Sequence, residues 1–453
     1  MAFLGTPAAF TRVLRRRWLV AGAVGGIALG SAVGALAVAA PSDAARVPRL
    51  VVLHAAPAFA DPGSELELSA GTVCDRPASR ACTVTSAAAE VRTPGDRTWA
   101  HIDGNDLGGS YRFRIPAVRG AFDYRLSFRT ADGQTTTYPP SGAPIHVASA
   151  AGLPASSPRS AFSWNDVREP ERRALYLPYG DGPGEVGLDG GGPDSDLTGP
   201  SSFAVAPDGS ISVADWVNDR VETFHDGVLQ ATFRTPVHRT FDLAVGSNDH
   251  SYLLTLGTDG AAYEVADGRV IGRYPVAFGV ASRVTTTSMG PAVNVAPEQW
   301  VSVRSSAGVA RSTEVQAEST TAAPAAADGS STRFGLLSGG RVPLRWTRND
   351  GTTGGTELTL PDGARAGTEY FAEPLPDGGA VLALGLWDEH HNGVGLFRFD
   401  RRGAVRSFSL LPEPSTRADA RASTVRWSRG RVLEAIDHPN GMSIERYDLG
   451  GGR

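Results

Sequence analysis

The sequence predicts an all-β protein: a β-sandwich followed by a five- or six-bladed β-propeller, behind an N-terminal signal or transmembrane helix. Three observations predict this. Glycine and proline number 54 and 31 of 453 residues, with 41% hydrophobic residues, a composition suited to many short strands joined by tight turns. After residue 45 no long stretch repeats apolar residues at the helical period. A four-strand pattern recurs along the second half of the chain.

Residues 1–45 read as an export segment. Arg12, Arg15, Arg16 and Arg17 precede an apolar run from Trp18 to Ala40. Ala37-Val38-Ala39 fits the small-x-small pattern of a cleavage site. The same run is long enough to span a bilayer of roughly 30 Å. Gly22, Gly26, Gly30 and Gly34 would give it a close-packing ridge. A cleaved signal and a retained anchor therefore both stand, and the anchor would attach the chain to a membrane through residues 18–40. Arg15-Arg16 followed by Trp18-Leu19 resembles a twin-arginine export signal, with Leu14 where a polar residue is usual. Either way the rest of the chain is expected outside the cytoplasm, secreted or anchored facing outward. Cys74 and Cys82 are the only cysteines and are expected to pair there. Net charge is −5, which gives no global basic footprint for nucleic acid.

Residues 48–148 divide into seven or so short strands at turns such as Asp61-Pro62-Gly63 and Ala131-Asp132-Gly133. In "FDYRLSFRT", Phe122, Tyr124, Leu126 and Phe128 alternate with Asp123, Arg125, Ser127 and Arg129, a half-buried strand. Strand number and spacing resemble an immunoglobulin- or fibronectin-like module. Residues 149–160, small, polar and Pro-containing, read as a linker between independently folding units.

Residues 161–453 carry the repeat. Copies begin at "SSFAVAPDGSISVADW", "TFDLAVGSNDHSYLLT", "PAVNVAPEQWVSVRSS" (resuming at "TRFGLLSGGRVPLRW"), "TEYFAEPLPDGGAVLALG" and "ASTVRWSRGRVLEAID". Each alternates apolar strands with turns, as a propeller blade does. "RRALYLPYG", residues 172–180, reads as a lone outer strand able to pair with the last copy and close the ring. Residues 305–332, rich in Ala, Ser and Thr, read as a loop.

The first copy and its approach resemble an NHL repeat. The matching residues are Tyr179-Gly180, Gly182-Pro183-Gly184, Pro200, Ala204-Val205, Pro207-Asp208-Gly209, Val213-Ala214-Asp215, Asn218, Arg220-Val221 and Phe224. The other copies keep the strand pattern without the Asp-x-x-Asn-x-Arg core. With the export segment, the whole resembles an exported bacterial protein of actinobacterial type.

In such a repeat Asp215 and Arg220 bracket a turn and are expected to form a structural ion pair, with Asn218 holding the turn. Connections between second and third strands are expected on one face. That gathers Asp215, Asn218, Asp259, Asp388, Glu389, His390, His391, Asn392, Asp437, His438 and Asn440, with His238 from the link after the first copy. His390 and His438 with Asp388 or Asp437 have the chemistry of a divalent metal site or a proton shuttle. No cofactor is identified. Propeller enzymes of the lactonase and virginiamycin B lyase type work from such a mouth, which keeps a secreted lyase or lactonase as the alternative. No nucleophile elbow, HExxH, Walker loop or dinucleotide fingerprint is present. The leading expectation is a non-catalytic envelope protein that binds another envelope protein or a glycan.

Overall fold

The alternation in Phe122–Thr130 is met in the fold: Phe122, Tyr124, Leu126 and Phe128 are fully buried between half-exposed polar neighbours. In the computed structural model, two sheets bury such faces against each other. Sheet A has the order Leu50–His54, Leu66–Cys74, Ser110–Ile115, Asn105–Asp106. Sheet B has the order Phe59–Ala60, Ile145–Ser149, Phe122–Thr130, Val84–Arg92, Ala100–Asp103, and Thr135–Tyr138 also pairs with its central strand. Phe113 and Ile115 of sheet A meet Leu126, Phe128 and Val147 of sheet B in one core. Cys74 and Cys82 are disulfide-bonded at the end of the Leu66–Cys74 strand.

The structure describes residues 50–449, apart from 55, 75–81, 118, 140–141, 159–161, 191–196, 236–237, 247–249, 256–259, 276–282, 288–289, 297–298, 303–329, 361–362, 416–417 and 419–422. The expected export segment, Asp259 and almost all of the expected 305–332 loop lie outside the described residues. Among the described residues no helix is long and apolar enough to cross a membrane.

Six small sheets follow among the described residues. Sheet 1 comprises Ser202–Val205, Ile211–Asp215, Arg220–His225 and Val228–Arg234; sheet 2 comprises Thr240–Val245, Ser251–Thr255, Ala261–Ala266 and Arg269–Pro275. Sheet 3 has Arg283–Thr287, Gly290–Ala296 and Gln299–Ser302. Sheet 4 has Ser331–Phe334, Arg341–Thr347 and Thr353–Thr359, edged by Ala155–Ser156 in parallel. Sheet 5 has Arg365–Pro374, Ala380–Trp387, Asn392–Phe399 and Val405–Leu411. Sheet 6 has Val425–Ser428, Arg431–His438 and Gly441–Asp448, edged by the antiparallel strand Arg172–Pro178. Local chemistry sets the tight turns. Asp226-Gly227, Asp267-Gly268 and Arg429-Gly430 each place two consecutive residues at positive φ, as a two-residue hairpin turn requires.

Five pairs of neighbouring sheets share apolar cores. Leu243 and Val221 join sheets 2 and 1, and Leu254 and Val284 join sheets 2 and 3. Leu344 and Leu382 join sheets 4 and 5, Val381 and Val432 join sheets 5 and 6, and Ile444 and Phe203 join sheet 6 back to sheet 1.

One expectation is corrected. The third sequence copy is two sheets: its opening strands stay in sheet 3 and its resumption starts sheet 4, giving six small sheets among the described residues. Within the expected 149–160 linker, residues 154–156 bond to sheets 4 and 5. Pro154 O accepts from Glu357 N (2.9 Å) and Thr356 Oγ1 (3.2 Å), and Ser156 Oγ accepts from Val405 N at 2.9 Å. Sheet B is tied in as well: Arg341 pairs with both Asp61 and Glu357, and Arg345 lies 5.9 Å over the Phe59 ring. Pro48–Arg453 form one compact unit.

Candidate functional site

At the end of the second strand of sheet 1, Asp215 is fully buried. A buried carboxylate must be paired and hydrogen-bonded. Its Oδ1 accepts from Gly187 N at 3.0 Å, and its Oδ2 accepts from Asn218 Nδ2 at 2.8 Å and Arg220 Nε at 3.1 Å. The other guanidinium nitrogens reach back to the chain's approach: Nη1 donates to Asp181 O (2.9 Å) and Nη2 to Gly182 O and Glu185 O (both 2.8 Å). Asn218 Nδ2 also donates to Gly180 O at 3.0 Å. Glycine is required at Gly187, where a Cβ would lie 2.4 Å from Val217 Cβ, and a Cβ on Gly180, 2.0 Å from Glu185 Oε2, would displace the Glu185 carboxylate. Glu222 completes the knot, fully buried, accepting from Gly184 N at 3.1 Å. Burial pushes its carboxyl upward, against the Gly184 N–H and the Arg220 charge.

Beside this knot, His238 Nδ1 lies 2.6 Å from Asp219 Oδ1, both side chains exposed. In sheet 5, Asp388 Oδ1 accepts from the backbone N of His390 (2.7 Å) and of His391 (2.8 Å), and from His391 Nδ1 at 3.0 Å. These bonds, the His390 N–H first, hold its carboxyl below the usual range. The His391 ring stacks on Trp164 with centroids 5.3 Å apart and planes at 8°. Trp164 belongs to a strap, described over residues 154–158 and 162–171, that bonds to the outer strands of sheets 4, 5 and 6. Phe162 packs on Phe408, Arg168 N donates to Leu410 O (2.7 Å) and Glu171 N donates to Arg446 O (3.0 Å). His390 is exposed, its ring 6.2 Å edge-on from that of His391.

In sheet 6, Asp437 Oδ1 accepts from Ser415 Oγ at 2.7 Å. His438 Nε2 lies 2.7 Å from Ser443 Oγ, and its ring is tilted against Tyr176. The structure thus brings together Asp215 with Asn218 and Arg220, and Asp388 with His391. Asp437 and His438 bond within their own surroundings. Among the described residues no three His, Cys, Asp or Glu side chains converge as a metal shell would require.

A second polar centre escaped the sequence reading. Arg426, in the first strand of sheet 6, donates through Nε to Phe203 O (3.0 Å) and through Nη2 to Asp242 Oδ1 (3.0 Å) and Leu243 O (3.2 Å). Asp242 is fully buried and also accepts from Val284 N at 2.7 Å. Arg283 of sheet 3 donates to Glu369 O (3.3 Å) and Tyr370 O (2.8 Å) of sheet 5. Burial lowers the Arg426 pKa and raises that of the Glu369 carboxyl. Ser202 Oγ, Thr240 Oγ1 and Ser423 Oγ, on or beside first strands, are buried with no hydrogen-bond partner among the described residues. These guanidiniums pin first strands to one another. The visible signal was a lone charged residue in the otherwise apolar opening strand of several copies, as in "TFDLAV" and "STVRWS".

No known protein family matches the sequence. No curated protein matches it either. Among solved structures, a protein of unknown function from Bacteroides caccae aligns at TM-score 0.30 and 12% identity over 49% of this chain and 92% of that one. Virginiamycin B lyase from Staphylococcus aureus aligns at TM-score 0.31 and 11% identity, over 72% of this chain and 91% of the other. Neither likeness transfers an activity.

Proposed function

We propose that the chain is an exported envelope protein that binds without chemistry: an Ig-like β-sandwich locked to a six-bladed, NHL-like β-propeller. The six small sheets, with sheet 6 packed on sheet 1 and the strand Arg172–Pro178 completing its edge, support the propeller reading. The contacts of Asp215, Asn218 and Arg220 with the glycine-rich approach support the NHL reading. The disulfide fits an oxidising compartment.

One observation carries the non-catalytic reading. Four loop-face groups suited to acid–base work are engaged within the fold, Asp388 on the 388–391 turn, His391 on Asp388 and Trp164, Asp437 on Ser415 and His438 on Ser443, which leaves His390 and the His238–Asp219 pair exposed as recognition groups. A general base needs a lone pair directed at substrate. What remains is a rigid surface, the form in which a scaffold presents recognition residues. The test incubates the protein with solubilised envelope polysaccharide and follows complex formation and ligand mass together. Reversible binding with unchanged ligand mass is expected. A new, lower-mass or unsaturated product would establish the lyase alternative instead.

A further inference from the structure

Strands of sheet 4, the 400–404 turn of sheet 5 and the strap's start at Leu153–Pro154 enclose a cleft of about 520 Å³. Such a volume accommodates a small ligand or a segment of a polymer. It lies at the end of sheet 5 opposite the 388–391 turn, since Trp346 Nε1 donates to Gly378 O (3.1 Å) and Gly403 packs on Gly355. Among the described residues four arginines line it, Arg333, Arg345, Arg401 and Arg402, and no carboxylate does.

The neighbouring arginines behave differently. Arg341 pairs with Asp61 and Glu357, Arg348 with Asp350, Arg398 with Asp377, and Arg406 with Asp400. Among the described residues the four cleft arginines form no ion pair; Arg345 donates only to Ser149 O, at 3.3 Å. Local carboxylates therefore neutralise the surrounding guanidiniums, whereas the four arginines that line this concavity have none paired to them among the described residues. A cleft of one sign concentrates field and attracts the opposite charge.

The walls are built. Asp400 Oδ1 accepts from Arg402 N (2.8 Å) and Ala404 N (3.0 Å), which fixes the turn that carries Arg401 and Arg402. Gly403 holds φ +84°, and a Cβ there would lie 2.3 Å from Gly355 O, so the turn sits directly on sheet 4.

We propose that this cleft binds an anionic polysaccharide through its carboxylate or phosphate groups. Guanidinium forks match both oxyanions geometrically. The hydroxyls of Ser331, Thr347 and Thr353 beside them suit sugar hydroxyls. Trp346, 2% exposed, offers no ring on which a nucleobase can stack. Among the described residues none of the large exposed apolar side chains lines the cleft, so a lipid tail finds no seat on them. This assignment rests on the reading of the chain as an envelope recognition protein.

The experiment titrates the full-length chain with polygalacturonate, poly(glycerol phosphate), neutral dextran and a DNA oligonucleotide at several salt concentrations. Binding of polygalacturonate, poly(glycerol phosphate) or both is expected, weakening steeply with salt, and the preference between them identifies the oxyanion. Replacing Arg401 and Arg402 with Ala, on an exposed turn, should weaken that binding by about tenfold or more with an unchanged melting temperature. Arg401→Lys/Arg402→Lys should fall between. Arg429→Ala, outside the cleft, should bind as the parent does. Polyanion binding indifferent to Arg401 and Arg402, or tightest binding to DNA, would overturn the assignment. So would dextran or neutral envelope glycan binding while both polyanions fail, which would leave the recognition reading standing. No binding to any glycan would defeat both.

Discussion

Asp215 shows how single residues divide structural from functional work. Its two oxygens accept from Gly187, Asn218 and Arg220, all at a fully buried position. Asp215→Asn removes the charge while Arg220, 11% exposed, keeps its bonds to the carbonyls of Asp181, Gly182 and Glu185 and has only Glu222, 3.6 Å away, as a counter-charge. Breaking one side of a buried pair costs about 3 kcal/mol. A melting curve should therefore shift down by several degrees while polyanion binding at the distant cleft holds its affinity. His54 makes a second residue-scale prediction. Its Nδ1 lies 2.6 Å from Ser69 O, an acceptor only, so Nδ1 carries the proton and Nε2 accepts from Tyr124 Oη at 2.5 Å. Burial pushes its pKa down from 6.5 to about 4. The unfolded chain takes up a proton below about pH 6.5 and the folded one only near 4. Stability is therefore full above 6.5, falls through that window by about 3 kcal/mol, and is level below it. An NMR titration of the His54 ring should give a midpoint near 4, and a midpoint near 6.5 would refute the burial argument.

At the scale of elements, the strap residues 154–158 and 162–171 bond to sheets that follow them in sequence by hundreds of residues. Its anchor on sheet 5 is the Trp164–His391 stack, with Phe162 on Phe408. Trp164→Ala removes an aromatic pair worth about 1 kcal/mol. Amide exchange in Val405–Leu411 should quicken while exchange in Ile211–Asp215 stays slow. Equal acceleration in both would mean that the strap holds no particular edge. Much of the element order was legible in the sequence, because local signals write it: alternation in 122–130, Asp-Gly turns, and the Asp-x-x-Asn-x-Arg spacing of the first copy. What escaped was non-local. Sheet 4 takes its edge strand from Ala155–Ser156, so its copy lacks a fourth strand nearby and merged with the third. The same distance hid the Arg426–Asp242 bond and the use of His391 as a stacking partner, since spacing within a repeat carries no information about contacts between repeats.

For the whole molecule, the cleft makes locking a functional matter. Its walls come from the strap, sheet 4 and sheet 5, so the site exists only while these hold together. Arg341 bonded to Asp61, Arg345 over Phe59, and Pro154 bonded to Glu357 and Thr356 hold sheet B and the strap onto sheet 4. Interfaces this specific make separate unfolding of the first 100 or so described residues costly. Calorimetric unfolding of the full chain, alone and with a saturating anionic polysaccharide, bears most directly on this claim. The account predicts a single transition containing both the two-sheet region and the six small sheets, shifted upward by the ligand as linkage to one native body requires. Two transitions, with only one of them moving on addition of ligand, would contradict it.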